Sequence, residues 1–479
     1  MAHDVTRRHL LGGIAATTLS SPALLGPGRT AGTLPPLPDV PTADAVLLRD
    51  GDTRFERYQK AFNARTILRP QLRAVCRTAR SIGALVDWCR DHDLPFALRS
   101  GGHCFEGFSQ SDSVVIDTRM LDQVAIDAAT RTATVGAGAS LGAVYLKAGA
   151  QGLALVAGSC PTIGVSGHVL GGGYGHLARP LGLASDNLIA VDLIDPEGRQ
   201  IRADAQENSD LFWACRGGGG GSFGAATGYR LQLHAVSDVL VFHMAWRHLS
   251  PDGAATIMAD WQSWAPRAPD SINATLVVMR DPAGGGLRLQ CSGQSIGSLG
   301  QLRRELKILS SSPTILPMSH LSAVKLLAGR DGFRYTSGPM KGKSDCVLAP
   351  LSHDVLATLM HEINARKTVS LICDPYGGAI ARMAADATAF PYRAAAYCIE
   401  YISEWTDPTD TKRRLQDMAD VYAAMRPHVS GAAYVNYCDV DLTDWQRAYW
   451  GPNLGRLKQI KAAFDPGNVF RHAQSVPVG

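Results

Sequence analysis

Two side chains able to form bonds stand on glycine-rich loops. Cys160 opens the stretch 158–175, Gly-Ser-Cys-Pro-Thr-Ile-Gly-Val-Ser-Gly-His-Val-Leu-Gly-Gly-Gly-Tyr-Gly, and His103 closes Arg99-Ser-Gly-Gly-His. Seven of the eighteen residues in the longer stretch are glycine, so backbone N–H groups can approach a ligand with no side chain between. The apolar residues among them (Ile163, Val165, Val169, Leu170) indicate an ordered loop packed on a core. A thiol and an imidazole can bind zinc, but a closed site needs more ligands. Neither His168 nor His176 falls at a ligand-pair spacing, so no metal is expected. A nicotinamide fold requires Gly-x-Gly-x-x-Gly after its first strand and an acidic residue about 20 positions on. Gly136-Ala-Gly138 is an incomplete version, and no complete P-loop pattern is present. The residues alone support a dinucleotide or another large cofactor, held in a way that is not the Rossmann way.

Five motifs in order sharpen that reading. They are Arg99-Ser-Gly-Gly-His-Cys-Phe-Glu-Gly, the stretch 158–175, Asp210-Leu-Phe-Trp-Ala-Cys-Arg followed by five glycines and Ser-Phe-Gly, Tyr434-Val-Asn-Tyr437, and Phe464-Asp-Pro-Gly-Asn-Val-Phe470. Together they resemble the berberine bridge enzyme-like branch of the vanillyl-alcohol oxidase flavoproteins. The resemblance implies an α+β fold: a two-lobed PCMH-type FAD-binding domain and a substrate domain whose antiparallel sheet is flanked by helices. It also implies FAD bonded twice to the protein, through His103 and Cys160, and transfer of a hydride from substrate to flavin, with O2 as second substrate and H2O2 as product. A thiolate and a neutral imidazole are the nucleophiles that add to an electron-poor ring. Electron-withdrawing attachment raises the flavin's potential. Around the anchors, Arg99, Ser100, Gly101, Gly102 and Cys104 on the first loop are expected to contact the cofactor. On the second loop the expected contacts are Gly158, Gly164, Val165, Gly167, His168, Gly171, Gly172, Gly173, Tyr174 and Gly175. Asn436 and Tyr437 complete the set, and the five-glycine run is expected nearby.

By the same resemblance Tyr437 is the base that takes the proton of the substrate O–H or N–H. A free phenol has a pKa of about 10, so this role at pH 7 asks for a shift of about three units, roughly 4 kcal/mol, from a cation or proton acceptor. Two carboxylates compete or assist. Glu400 lies on the alternating strand Tyr397-Cys-Ile-Glu-Tyr-Ile, on the face of Cys398 and opposite Ile399 and Tyr401. Asp374 ends another apolar strand and matches an aspartate of carbohydrate-oxidising relatives. Ile163, three residues after Cys160, is β-branched, which in relatives goes with oxidase behaviour. The expected substrate is a small-molecule alcohol, hemiacetal or amine. An oligosaccharide oxidised to a lactone, or a flavin protein that binds without turnover, are the alternatives.

The elements that position these residues alternate short apolar strands with helices from Arg65 onward. A helix is predicted over 74–91, strands over 95–98, 113–118, 132–135 and 153–157, and a helix over 141–150. Beyond Ser237, strands alternate with long amphipathic helices at 251–265, 354–364 and 411–425. The predicted domains are 41–236 for FAD, 237–430 for substrate, and 431–479 returning to the first. The 479 residues call for two or more lobes. A net charge of +4 with interspersed signs leaves no footprint for nucleic acid, and no apolar run is long enough to cross a membrane. Thr6-Arg7-Arg8-His9-Leu10-Leu11 followed by a weakly apolar stretch resembles a twin-arginine export signal, so residues 1–40 are set apart as signal and linker and the mature protein is expected to be an exported monomer. Ten cysteines without tight spacing indicate few disulfides, and if Cys160 serves a cofactor, at least one of the other nine is unpaired.

Overall fold

The computed structural model describes residues 34–328 and 334–479, so the Arg7-Arg8 signal lies outside the described residues. The first sheet contains β1 (Ala45–Leu48), β2 (Leu72–Cys76), β3 (Phe96–Arg99) and β4 (Val114–Asp117) in the order β1-β2-β4-β3. β4 runs parallel to both β2 and β3. The helix Ala79–Asp91 forms the crossover that parallel pairing demands. The predicted helix begins too early, because 74–76 belong to β2. Thr78 caps the observed helix by accepting from the Ser81 N–H. Ile82, Leu85 and Val86 are fully buried against this sheet, each contributing about 1.5–3 kcal/mol over exposure. β3 ends at Arg99 and delivers the chain directly into the His103 loop.

A second sheet, order β5-β6-β10-β8-β9, contains β5 (Val124–Asp127), β6 (Thr132–Gly136), β8 (Leu188–Ile194), β9 (Gln200–Asp204) and β10 (Ala225–Gln232). Between β6 and β8 the two-residue strand β7 (Leu153–Ala154) pairs with β11 (His234–Ala235). The predicted strand over 153–157 shortens to β7, and the chain then runs into the Cys160 loop. Within that loop, Val165–Leu170 is a short helix, so the stretch read as a loop is a turn of helix with glycine-rich entry and exit.

The third sheet is antiparallel and seven-stranded, in the order β15-β12-β14-β13-β17-β18-β16. Its strands are β12 (Asp238–Leu249), β13 (Ile272–Arg280), β14 (Leu287–Ser295), β15 (Thr314–Ser319), β16 (Met340–Val347), β17 (Ser370–Pro375) and β18 (Tyr397–Glu404). Period-two alternation assigns its faces. Leu276, Leu371, Cys373, Tyr397, Ile399 and Tyr401 pack with the helices Pro251–Trp264, His353–Arg366 and Thr411–Met425. The opposite face carries Thr275, Ile372, Asp374, Glu400 and Ile402 toward a cavity. All ten cysteines are free thiols, and among the described residues no helix is long and apolar enough to cross a membrane.

Candidate active site

A cavity of about 480 Å³ is bounded by the two reactive loops, the glycines 218–221, the segment 434–438 and the far face of the third sheet. His103 and Cys160 meet there on one hydroxyl. Thr162 Oγ1 lies 3.0 Å from His103 Nε2 and 3.4 Å from Cys160 Sγ. Glycine permits the meeting. A methyl group on Gly101 would sit 2.2 Å from the Gly164 nitrogen, so any side chain there would drive the loops apart. The His103 ring stacks on Phe62 at 4.4 Å and meets the edge of Tyr335 at 5.3 Å. Burial, with help from Arg99, pushes its pKa down to about 4, so the imidazole is neutral at physiological pH.

Arg99 lies behind the first loop with its guanidinium at the Lys60 carbonyl and 3.7 Å from Asp117. Its Nε and Nη1 are buried with no hydrogen-bond partner among the described residues. Unsatisfied buried donors of this kind fit a cavity that takes an anionic, pyrophosphate-bearing cofactor. The Ser100 hydroxyl is turned away, donating to the Ala137 carbonyl at 2.6 Å, which leaves its backbone for the cavity. His168 borders the cavity, but its Nε2 accepts the Gly158 N–H at 3.0 Å, and burial holds it neutral with a pKa of about 4. It therefore braces the loop two residues before Cys160. The Tyr174 hydroxyl donates to the Pro375 carbonyl at 2.9 Å and accepts from Asn273 Nδ2 at 2.6 Å, tying the loop to the third sheet.

Gly101, Gly102, Cys104, Gly158, Gly164, Gly167 and Gly175 border the cavity, and so do Asn436 and Tyr437. Val165, Gly171, Gly172 and Gly173 do not. Val165 is the first residue of the short helix and is fully buried. Gly171 packs so closely on Asn436 that a methyl there would lie 2.0 Å from its Oδ1. Gly172 faces Phe390, and the Gly173 N–H donates to the Tyr434 hydroxyl at 2.8 Å. These glycines seat the 434–437 segment against the loop. Asn436 Nδ2 completes the joint by donating to the His168 carbonyl at 3.1 Å and the Tyr434 hydroxyl at 2.9 Å.

Opposite the loops, Tyr437 stacks on Phe105 at 5.7 Å and stands edge-on to Tyr434 at 5.0 Å. Glu400 and Tyr437 both face the cavity and act on each other's charge, and Asp374 accepts from Thr275 Oγ1 at 2.8 Å. Burial pushes Glu400 up to about 8, with the charge of Asp374 adding to it, and burial pushes Asp374 up to about 6. The phenol of Tyr437 does not move down as its expected role requires. Burial and then the two carboxylates raise it well above its ordinary value. Tyr437 is therefore held in its protonated form, with the raised carboxyl of Glu400 on the same cavity wall.

Sequence reasoning missed several residues here. Thr162 lies inside the Cys160 motif, but nothing in its type announces a bridge. A second omission is the charge network behind the wall. Lys341 and Lys343 on β16 reach Glu106, Asp439 and Asp441 at 2.5–3.1 Å, with all but Asp441 buried. Although burial works against it, these carboxylates push Lys341 up. The network ties the loop after His103 to the segment after Tyr437. Replacing Lys341 by Ala leaves Glu106 and Asp439 as under-compensated buried charges, and the expected cost is about 3–5 kcal/mol. Thermal unfolding of the variant checks this, and an unchanged midpoint would contradict it.

Comparison with known proteins agrees with the geometry. The FAD binding domain family model matches residues 70–204, and the berberine and berberine-like model matches 433–477. A FAD-linked oxidoreductase of Bacillus subtilis, YgaK, is 31% identical over 444 residues, spanning 90% of this chain and 96% of that protein. Monolignol oxidoreductase AtBBE-like 13 of Arabidopsis thaliana is 31% identical over 426 residues, spanning 80% of this chain and 79% of that one. The structure of Physcomitrella patens BBE-like 1 superposes with a TM-score of 0.84 at 28% identity, covering 91% of this chain and 97% of that one. Matches that run nearly end to end, in sequence and in fold, mean that the chain belongs to the berberine bridge enzyme-like family of FAD-linked oxidoreductases.

Proposed function

We propose that this oxidoreductase holds FAD through two bonds, from His103 and Cys160, and oxidises a small-molecule alcohol, hemiacetal or amine. The observation that supports the double anchor is the convergence of both nucleophiles on the Thr162 hydroxyl from loops 57 positions apart in sequence. FAD, when bound, supplies the electron chemistry: it accepts a hydride from the substrate and passes the electrons to O2, giving H2O2. The chain's own residues handle the proton. Tyr437 accepts the proton of the substrate O–H or N–H while its own proton moves to Glu400 on the same cavity wall. Asp374, held by Thr275, adds negative charge that makes ionised Glu400 the more basic, so its accepting form gains population as pH rises toward 8.

The sheet's own contribution to the cavity, Thr275, Ile372, Asp374, Glu400 and Ile402, carries no aromatic platform for stacking a sugar. This favours a compact substrate over an oligosaccharide. A relative named as a monolignol oxidoreductase is consistent with an alcohol. With the Arg7-Arg8 segment as signal, the enzyme acts outside the cytoplasm. The test is anaerobic mixing with a panel of primary and secondary alcohols, reducing sugars and amines. Bleaching of the flavin band, followed by peroxide on readmission of air, is expected for one of these classes. A spectral shift without bleaching across the panel would make the protein a binder instead.

A further inference from the structure

Two thiols in the cavity wall are not used by this chemistry. Cys104 directly follows His103, and Cys438 directly follows Tyr437. Their sulfurs lie 3.6 Å apart although 334 positions separate them in sequence. Both border the cavity. Cys104 is partly exposed, and its sulfur accepts the Phe108 N–H at 3.2 Å. We propose that Cys104 and Cys438 are a peroxide-oxidisable dithiol, whose disulfide staples the His103 loop to the Tyr437 segment. The source of peroxide in use rests on the oxidase reading above, but the site itself does not.

The two sulfurs are unequal, as the chemistry requires. The contact between the two sulfurs holds the Cys104 thiol below its ordinary pKa, while the same contact and burial push Cys438 up. Cys104 is also the more exposed of the two at the cavity, and Cys438 is buried, so Cys104 is the sulfur that peroxide meets first and Cys438 the resolving thiol. The Cys104 sulfur attacks one peroxide oxygen, the O–O bond breaks, and the departing hydroxide takes up a proton as water. The Cys438 sulfur then displaces hydroxide from the sulfenic acid, closing the S–S bond and releasing a second water. Two thiols lose two electrons and hydrogen peroxide accepts them. Closure asks the sulfurs to approach by about 1.5 Å, within the reach of side-chain rotation.

A second pair is the internal control. Cys346 and Cys398 face each other on neighbouring strands β16 and β18 but are buried and do not border the cavity. Peroxide arising in the cavity reaches the first pair and not the second.

The experiment uses the full protein, reduced with dithiothreitol and freed of it. It is treated with a small excess of reagent hydrogen peroxide, alkylated, and mapped as non-reduced peptides. A peptide pair joined through Cys104 and Cys438 is expected, reversed by dithiothreitol, with Cys346 and Cys398 alkylated as free thiols. The oxidised protein should melt several degrees above the reduced one because the staple closes a very long loop, and Cys438→Ser should abolish that difference. Recovery of Cys104 as a free thiol, or as sulfinic or sulfonic acid in the wild type, would overturn the proposal. The readings fail separately. A crosslink with reagent peroxide and no peroxide from any substrate leaves the dithiol standing without the oxidase. Peroxide from turnover without a crosslink from either source removes the dithiol alone.

Discussion

Flavin reduction in Tyr437→Phe is expected to be slower than in the wild type by about 10²-fold or more, at every pH. The variant keeps the ring that stacks on Phe105 and meets Tyr434 but loses the oxygen that passes the proton in the proposed mechanism. Its partner variant separates donor from acceptor. Glu400 is raised to about 8, so in the wild type the rate of reduction should climb as pH rises toward 8 and level off above it. Glu400→Gln should remove that climb and slow reduction by about 10²-fold. A Tyr437→Phe enzyme with unchanged rate would transfer the role to the carboxylate pair. A wild-type climb that survives in Glu400→Gln would exclude Glu400 as acceptor. The same variant has a signature in stability. The folded pKa of Glu400 lies above its ordinary 4.5, so the fold favours the protonated form and loses stability as pH rises from about 4.5 to about 8. Glu400→Gln should therefore melt higher than the wild type above pH 8, and the difference should vanish below pH 4.5.

The second large effect concerns the anchors. His103→Ala and Cys160→Ala should each still hold the yellow chromophore through acid denaturation, by the remaining bond, and only the double variant should release it. Each single variant should also show a lower midpoint potential, because it loses one electron-withdrawing attachment. A fall of about 30 mV already shifts a two-electron equilibrium tenfold, so slower reduction is expected in both. Release of the chromophore from either single variant would mean that the residue left in place makes no bond. The neutral state of His103, packed between Phe62, Tyr335 and the loop, would let it act as the nucleophile of the proposed attachment without first losing a proton.

Much of this site was legible in the sequence because its residues sit in dense local motifs. His103, Cys160, Asn436 and Tyr437 are each flanked by glycines or aromatics that mark a loop, and all four border one cavity. The faces of β17 and β18 were legible for a different reason. Strict alternation set Glu400 opposite Ile399 and Tyr401, and the sheet obeys it. What escaped has physical causes. β16 reads Met-Lys-Gly-Lys-Ser-Asp-Cys-Val, which has no apolar period, yet every residue in it is buried. Its lysines are compensated by carboxylates about 100 and 235 positions away, and no local pattern encodes such a pairing. The resemblance places the glycines at 171–173 at the cofactor, but they do not border the cavity. Their close approach is to Asn436, Phe390 and Tyr434, which only the tertiary fold brings near. The direction of the Tyr437 shift was also beyond local reading, because it follows from burial and from carboxylates on two other strands.

Peptide mass spectrometry tests the double attachment without knowledge of the substrate. Holoenzyme denatured in acid and digested should yield one flavin-absorbing species in which the peptide containing His103 and the peptide containing Cys160 are joined through a single FAD. Recovery of both peptides at their unmodified masses, with free FAD in the supernatant, would contradict the account.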